Sequence, residues 1–130
     1  MKMKNNLALA AIVSILLGST SAAYADQLVD QYNAYIGQDD LYNSNGERLT
    51  QPWQIIRQDR ANFHKFGINQ RGDEDDGFFD SVDNRAAAER MIRDGAMTRA
   101  ARALLLDGDV MINVKIFEGP DGDYLTITVD

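Results

Sequence analysis

The apolar positions of this chain change their pattern several times, and each pattern predicts a different element. Leu7 through Leu17 forms a continuous uncharged run broken only by Ser14, behind a start that carries Lys2 and Lys4. Small residues follow, ending in Ala23-Tyr24-Ala25 ahead of Asp26. A basic start, an apolar run and small residues at −3 and −1 predict a cleavable secretory signal peptide over residues 1–25, cut at Ala25/Asp26. The run is too short for a spanning helix, which needs roughly 20 apolar residues. The expected product is one domain over residues 26–130, periplasmic or secreted, with no stable membrane anchor after cleavage.

Beyond the leader, Leu28, Val29, Tyr32, Tyr35 and Ile36 recur on one helical face. That spacing predicts a first helix capped by Asp26 and ended by Gly37. Residues 38–49 read as loop, with room for a short hairpin about Asn45-Gly46. Thr50-Gln51-Pro52 then supplies a helix start, with proline inside the first turn. The second helix runs from Trp53 to Phe66 with Gly67 as its cap, and Trp53, Ile56, Arg60 and Phe63 form its stripe. After a polar loop, Asp80 or Ser81 caps a third helix reaching Arg93, closed by Gly95. Thr98 caps a fourth helix through Leu106, stopped by Gly108.

The period then falls to two. Val110, Ile112, Val114 and Ile116 alternate with less apolar neighbours, Gly119-Pro120-Asp121-Gly122 makes a turn, and Leu125, Ile127 and Val129 alternate on the far side. This is a C-terminal β-hairpin. The expected fold is α+β: about four helices packed against that hairpin. Its outer strand would present an unpaired edge to a partner, only partly blunted by Lys115 and the Pro120 turn.

Charge narrows the partners. Of 13 basic residues two lie in the leader, so the mature chain carries 11 against 20 acidic residues, a net −9. Such a balance opposes nucleic acid, whose binding needs phosphates neutralised by Lys and Arg. There is no cysteine, so an oxidising compartment is entered without crosslinks.

Candidate chemistry is sparse. His64 is the one histidine, and Arg57 and Arg60 lie on its side of the second helix, at offsets of 3 and 4. Guanidinium forks there could bind a phosphate, a carboxylate or an acidic partner surface, or Arg60 could be buried against an acid such as Asp59. Phe78-Phe79 beside the acidic loop either plugs the core or offers an apolar contact. Asp73, Asp75 and Asp76 are oxygen donors for an irregular calcium site, although no register of the loop fits an EF-hand. A lone histidine without thiolates does not make a zinc centre. Ser44 and Ser81 sit in no nucleophile elbow, and no phosphate-binding or dinucleotide fingerprint occurs. No cofactor is expected.

The segment Arg57 to His64 followed by Phe66-Gly67, with Gly72-Asp73-Glu74 and Phe78-Phe79 beyond, resembles small exported proteins of alphaproteobacteria for which no activity is known. The resemblance covers about the second half of the mature chain. It implies a Gram-negative envelope as the setting and brings no catalytic residue.

The function expected from these residues is binding or interaction without catalysis, toward another envelope protein or a small anionic ligand. Arg57, Arg60, His64, Phe78 and Phe79 are the candidate contacts. The alternatives are an envelope hydrolase using carboxylates and a calcium-dependent structural module.

Overall fold

The computed structural model describes residues 25–130; all of the expected leader except Ala25 lies outside the described residues. Those residues form a mixed α+β fold with four α-helices and a three-stranded antiparallel sheet. In chain order these are β1 (Gln27–Ile36), α1 (Pro52–His64), α2 (Val82–Ala86), α3 (Ala88–Asp94), α4 (Arg99–Asp107), β2 (Val110–Gly119) and β3 (Gly122–Val129), with a 3-10 turn over Gln38–Leu41. The strand order is β1-β2-β3. No described helix is long and apolar enough to cross a membrane.

The first expected helix is therefore a strand, and the C-terminal hairpin has a third member. Tyr32, Ala34 and Ile36 point into the core, opposite Val114, Ile112 and Val110 of β2. Gln31, Asn33 and Tyr35 point the other way. The true period is two, but its inward set contains a small residue, Ala34, which the large apolar side chains mask. Leu28 and Val29 complete the apparent helical stripe, yet both are about half exposed, and the register slips between Leu28 and Asp30. A bulge of this kind breaks strict alternation where the strand begins. Once β2 and β3 exist, pairing satisfies the backbone of residues 27–36 and buries three side chains on the sheet's inner face. That tertiary gain outweighs helical spacing.

The remaining elements follow their local signals more closely. Gln54 Oε1 accepts from the backbone N–H groups of Thr50 and Gln51 at the start of α1, and Gly67 takes the left-handed conformation after its end. The expected third helix is two short helices meeting at Ala87, with Ser81 Oγ accepting from Asn84 N at the start of α2. Thr98 Oγ1 accepts from Ala101 N to cap α4. Tyr42 and Arg48 bridge across the Asn45-Gly46 turn, so that loop does contain a small hairpin.

The core lies between the sheet's inner face and the helices. Ile112, Val114, Ile116, Leu125 and Ile127 meet Ile55, Ile56, Phe79, Met91 and Leu105. Both outer edges of the sheet are occupied. On β3, Ala96 N donates to Leu125 O at 3.0 Å and Ile127 N to Ala96 O at 3.1 Å. On β1, Asn33 N donates to Glu74 Oε1 and Tyr35 N to Asp73 Oδ1, while Glu74 N donates to Asn33 O. The acidic loop thus covers one strand edge and the α3–α4 connection covers the other. Neither stretch offers the open ladder that an added strand requires.

Candidate functional site

Two features of α1 concentrate polar chemistry, one facing inward and one facing out. Inward, Arg60 is fully buried. Its Nε donates to Asp59 Oδ2 at 2.8 Å, and its Nη1 donates to Asp76 Oδ1 at 2.8 Å and to Glu74 O at 3.0 Å. The guanidinium carbon lies 4.2 Å from the centre of the Tyr32 ring and 4.7 Å from that of Phe63. Cation–π attraction is strongest where water is excluded, as it is here. Asp76 also meets His64 Nε2 at 2.8 Å and accepts from Phe79 N. His64 Nδ1 lies 3.6 Å from Asp80. Arg60 Nη2 and the Tyr32 hydroxyl have no hydrogen-bond partner in the structure.

Two buried carboxylates here share a single guanidinium. Asp76 has additional donors in Phe79 N and the His64 side, whereas Asp59 has Arg60 Nε as its side-chain partner. Burial accordingly pushes the Asp59 carboxyl up to about 7, against the opposing pull of Arg60. Asp40 shifts the same way, raised by burial although Asn62 and Gly37 N donate to it.

The sign of the linkage follows from these directions. The native state keeps the Asp59 proton up to about pH 7, whereas the unfolded chain releases it near an ordinary Asp value of about 3.9. The native state binds more protons in that window, so its stability is greatest below it and falls as pH rises through 7. Urea midpoints are expected to drop between pH 5 and pH 8 by the equivalent of a few kcal/mol. Asp59→Asn keeps the acceptor but not the charge, and its drop should be clearly smaller. Equal slopes for the two proteins would show that Asp59 carries no raised pKa.

This cluster does not read as a catalytic centre. Ser81 Oγ caps α2, and Asp59, Arg60, His64 and Asp76 line none of five grooves on the described surface. The calcium candidates also diverge. Asp73 accepts from Tyr35 N and Gln70 N, Asp76 faces Arg60, and Asp75 is exposed. Among the described residues no group of three or more metal-ligating side chains is assembled.

Outward, the picture is different. A groove of about 800 Å³ lies between α3 and the N-terminal ends of α1 and α4, with Trp53, Ile92 and Met97 on its walls and Arg93, Arg99 and Arg102 beside them. A second groove, about 360 Å³, shares Trp53 and is lined by Leu49, Arg57, Ala61, Lys65 and Phe66. Phe66 leads on to Tyr42 and Ile68, which line a third depression, and all three side chains are 40–49 % exposed.

Scans against family models, curated proteins and solved structures found no match to this chain. The reading of its surface therefore rests on charge and shape. The two grooves that share Trp53 contain five of the 11 basic residues of the 26–130 segment. They contain one of its 20 acidic residues, Glu89. On so acidic a protein, that segregation is the clearest departure from an evenly mixed surface.

The candidate residues separate accordingly. Arg57 is exposed on the basic face. Arg60 and His64 turn inward, their side chains 0 % and 6 % exposed. Phe79 is buried against Tyr32 and Phe78 in edge-to-face contacts, and Phe78 is half-buried against the same core. Periodicity places Trp53 on the apolar stripe of α1 but does not mark it, or Arg93, Arg99 and Arg102, as a contact. A local signal existed: residues 85–102 hold five arginines against two acidic residues, Glu89 and Asp94.

Proposed function

We propose that the chain works as a small exported binding protein without catalysis, and that its contact surface is the basic face around Trp53. The observation that carries this reading is the gathering of Arg57, Lys65, Arg93, Arg99 and Arg102 about two grooves, on residues 26–130 that together carry net −9. Long-range repulsion by the whole molecule disfavours most anionic ligands, and such a patch gives a local site of opposite sign that selects and orients one. The buried ionic cluster supports the non-catalytic side of the proposal. Its groups with chemical potential are hydrogen-bonded to one another and line neither groove beside Trp53, whereas an active site needs convergent titratable groups in a cleft. Export and an envelope or extracellular setting belong to the same proposal and rest on the leader pattern.

The test is capture from the envelope extract of the source cell. Wild-type protein should retain a partner that an Arg57→Glu variant loses, with the two proteins melting at the same temperature. Arg57 is exposed and forms no ion pair among the described residues, so reversal should leave the fold intact. Undiminished capture by the variant would remove this face as the contact surface.

A further inference from the structure

The grooves also constrain what they receive. We propose that the basic face binds an acidic segment of a partner polypeptide, with aspartate or glutamate side chains on its rim and an apolar side chain beside Trp53. This deepens the binding reading above and rests on it.

Three observations favour that occupant. The first is span. Arg57 on α1 and Lys65 at its C-terminal cap lie eight residues apart, about 12 Å at 1.5 Å rise per residue, and Arg93, Arg99 and Arg102 line the other side of Trp53. A single carboxylate or phosphate reaches one part of this array, whereas an extended chain reaches several. The second is composition. Exposed Phe66 and half-buried Trp53, Ile92 and Met97 lie among arginines, the mixture that protein interfaces concentrate at their energetic centres. Polyphosphate backbones carry no aliphatic side chain to cover such walls, and their charge density is the kind that residues 26–130, at net −9, repel most. The third is donor type. Four of the five cations are arginine, whose planar fork pairs with a carboxylate through two parallel hydrogen bonds; Arg93 already meets Asp94 at 3.4 Å, whereas Arg57, Arg99 and Arg102 form no ion pair among the described residues. Arg102 is partly pre-positioned, its Nη2 donating to Gln51 Oε1 at 3.0 Å.

Trp53 is the chain's single tryptophan, so its fluorescence reports directly from the wall that the two grooves share. The probe is a tryptophan-free synthetic peptide alternating glutamate and leucine. Its controls are the lysine–leucine counterpart, a single-stranded oligonucleotide and phosphatidylglycerol vesicles. The glutamate–leucine peptide should shift Trp53 emission saturably. Arg99→Glu/Arg102→Glu should weaken that binding about tenfold or more, and so should raised salt. Circular dichroism should show the double variant folded.

No saturable shift with the acidic peptide would overturn the proposal. So would an equal shift with the lysine peptide, or tighter binding of oligonucleotide or vesicles. Self-association abolished by the double variant would overturn it too, by assigning the face to a second copy of the chain. In the last two cases the face remains a binding surface and only its ligand class falls. If no probe perturbs Trp53 and capture by wild type is indifferent to Arg57→Glu, the binding reading falls with it.

Discussion

Arg60→Ala is expected to remove a large share of the protein's stability. The substitution removes the one cation between Asp59 and Asp76 and opens a void under Tyr32 and Phe63. Breaking a buried ion pair by deleting one partner typically costs about 3–5 kcal/mol, because the remaining charge stays buried without compensation. Domains of this size are stable by only about 5–15 kcal/mol. The melting temperature should therefore fall by more than about 10 °C, at roughly 4–8 °C per kcal/mol for a domain near 100 residues. Two companions separate charge from volume. Arg60→Met fills much of the void yet leaves Asp59 without its side-chain partner and Asp76 with only His64 and Phe79 N, so it should recover little at pH 8. At pH 5 the Asp59 carboxyl can take up a proton, and the deficit of both variants should shrink. An Arg60→Ala protein that melts within a few degrees of wild type at pH 8 would show that the cluster contributes little to the fold.

That expectation also marks where reading the chain by pattern succeeds and where it stops. The β2–β3 hairpin is legible because both strands alternate over their length and Gly119-Pro120-Asp121-Gly122 joins them without intervening residues. The fourth helix is legible because Thr98 and Gly108 are local caps, each acting within a turn of its own helix. β1 is not legible, because what makes it a strand is its register with β2, such as Asn33 opposite Asn113. Its inward side chains include Ala34, which carries too little apolar surface to define a period. The break at Ala87 is hidden for a similar reason: an alanine-rich run has high helix propensity, and nothing local marks the place where one helix becomes two.

The functional residues divide along the same line. Arg60 sits among apolar neighbours on α1, and its burial depends on Asp76, sixteen residues later, and on Tyr32 from another element. Arg57, three positions earlier, shares the residue type but faces the groove beside Trp53. Helical spacing alone groups the two. Packing separates them, because the carboxylates that accept Arg60 approach from within. The basic face likewise draws on α1, α3 and α4 together, so its extent depends on how three helices meet, although the arginine-rich stretch 85–102 was visible in the chain.

Gly95→Ala should be the second damaging substitution, through the backbone rather than through charge. A Cβ at Gly95 would lie 1.6 Å from Leu125 O and 2.7 Å from Leu125 C. No rotamer relieves a clash between a Cβ and a neighbouring backbone, so the α3–α4 connection must move away from β3. That movement breaks Ala96 N to Leu125 O and Ile127 N to Ala96 O, each about 1 kcal/mol net. It also loosens α3, whose Met91 is buried in the core beside this edge. A loss of about 3 kcal/mol or more is expected, in the range reached when strain and broken hydrogen bonds combine. Hydrogen exchange gives the specific signature: the Ile127 amide should lose protection before amides at the centre of β2. With its cover displaced, the β3 edge becomes an open ladder, and the variant should also aggregate at concentrations the wild type tolerates. Gly77→Ala is the control, since nothing lies within 4 Å of a Cβ there, and it should stay within about 0.5 kcal/mol of wild type. A Gly95→Ala protein with wild-type stability and full Ile127 protection would mean that the connection can retreat without releasing the strand. The edge of β3 would then have to be held closed by the helices alone.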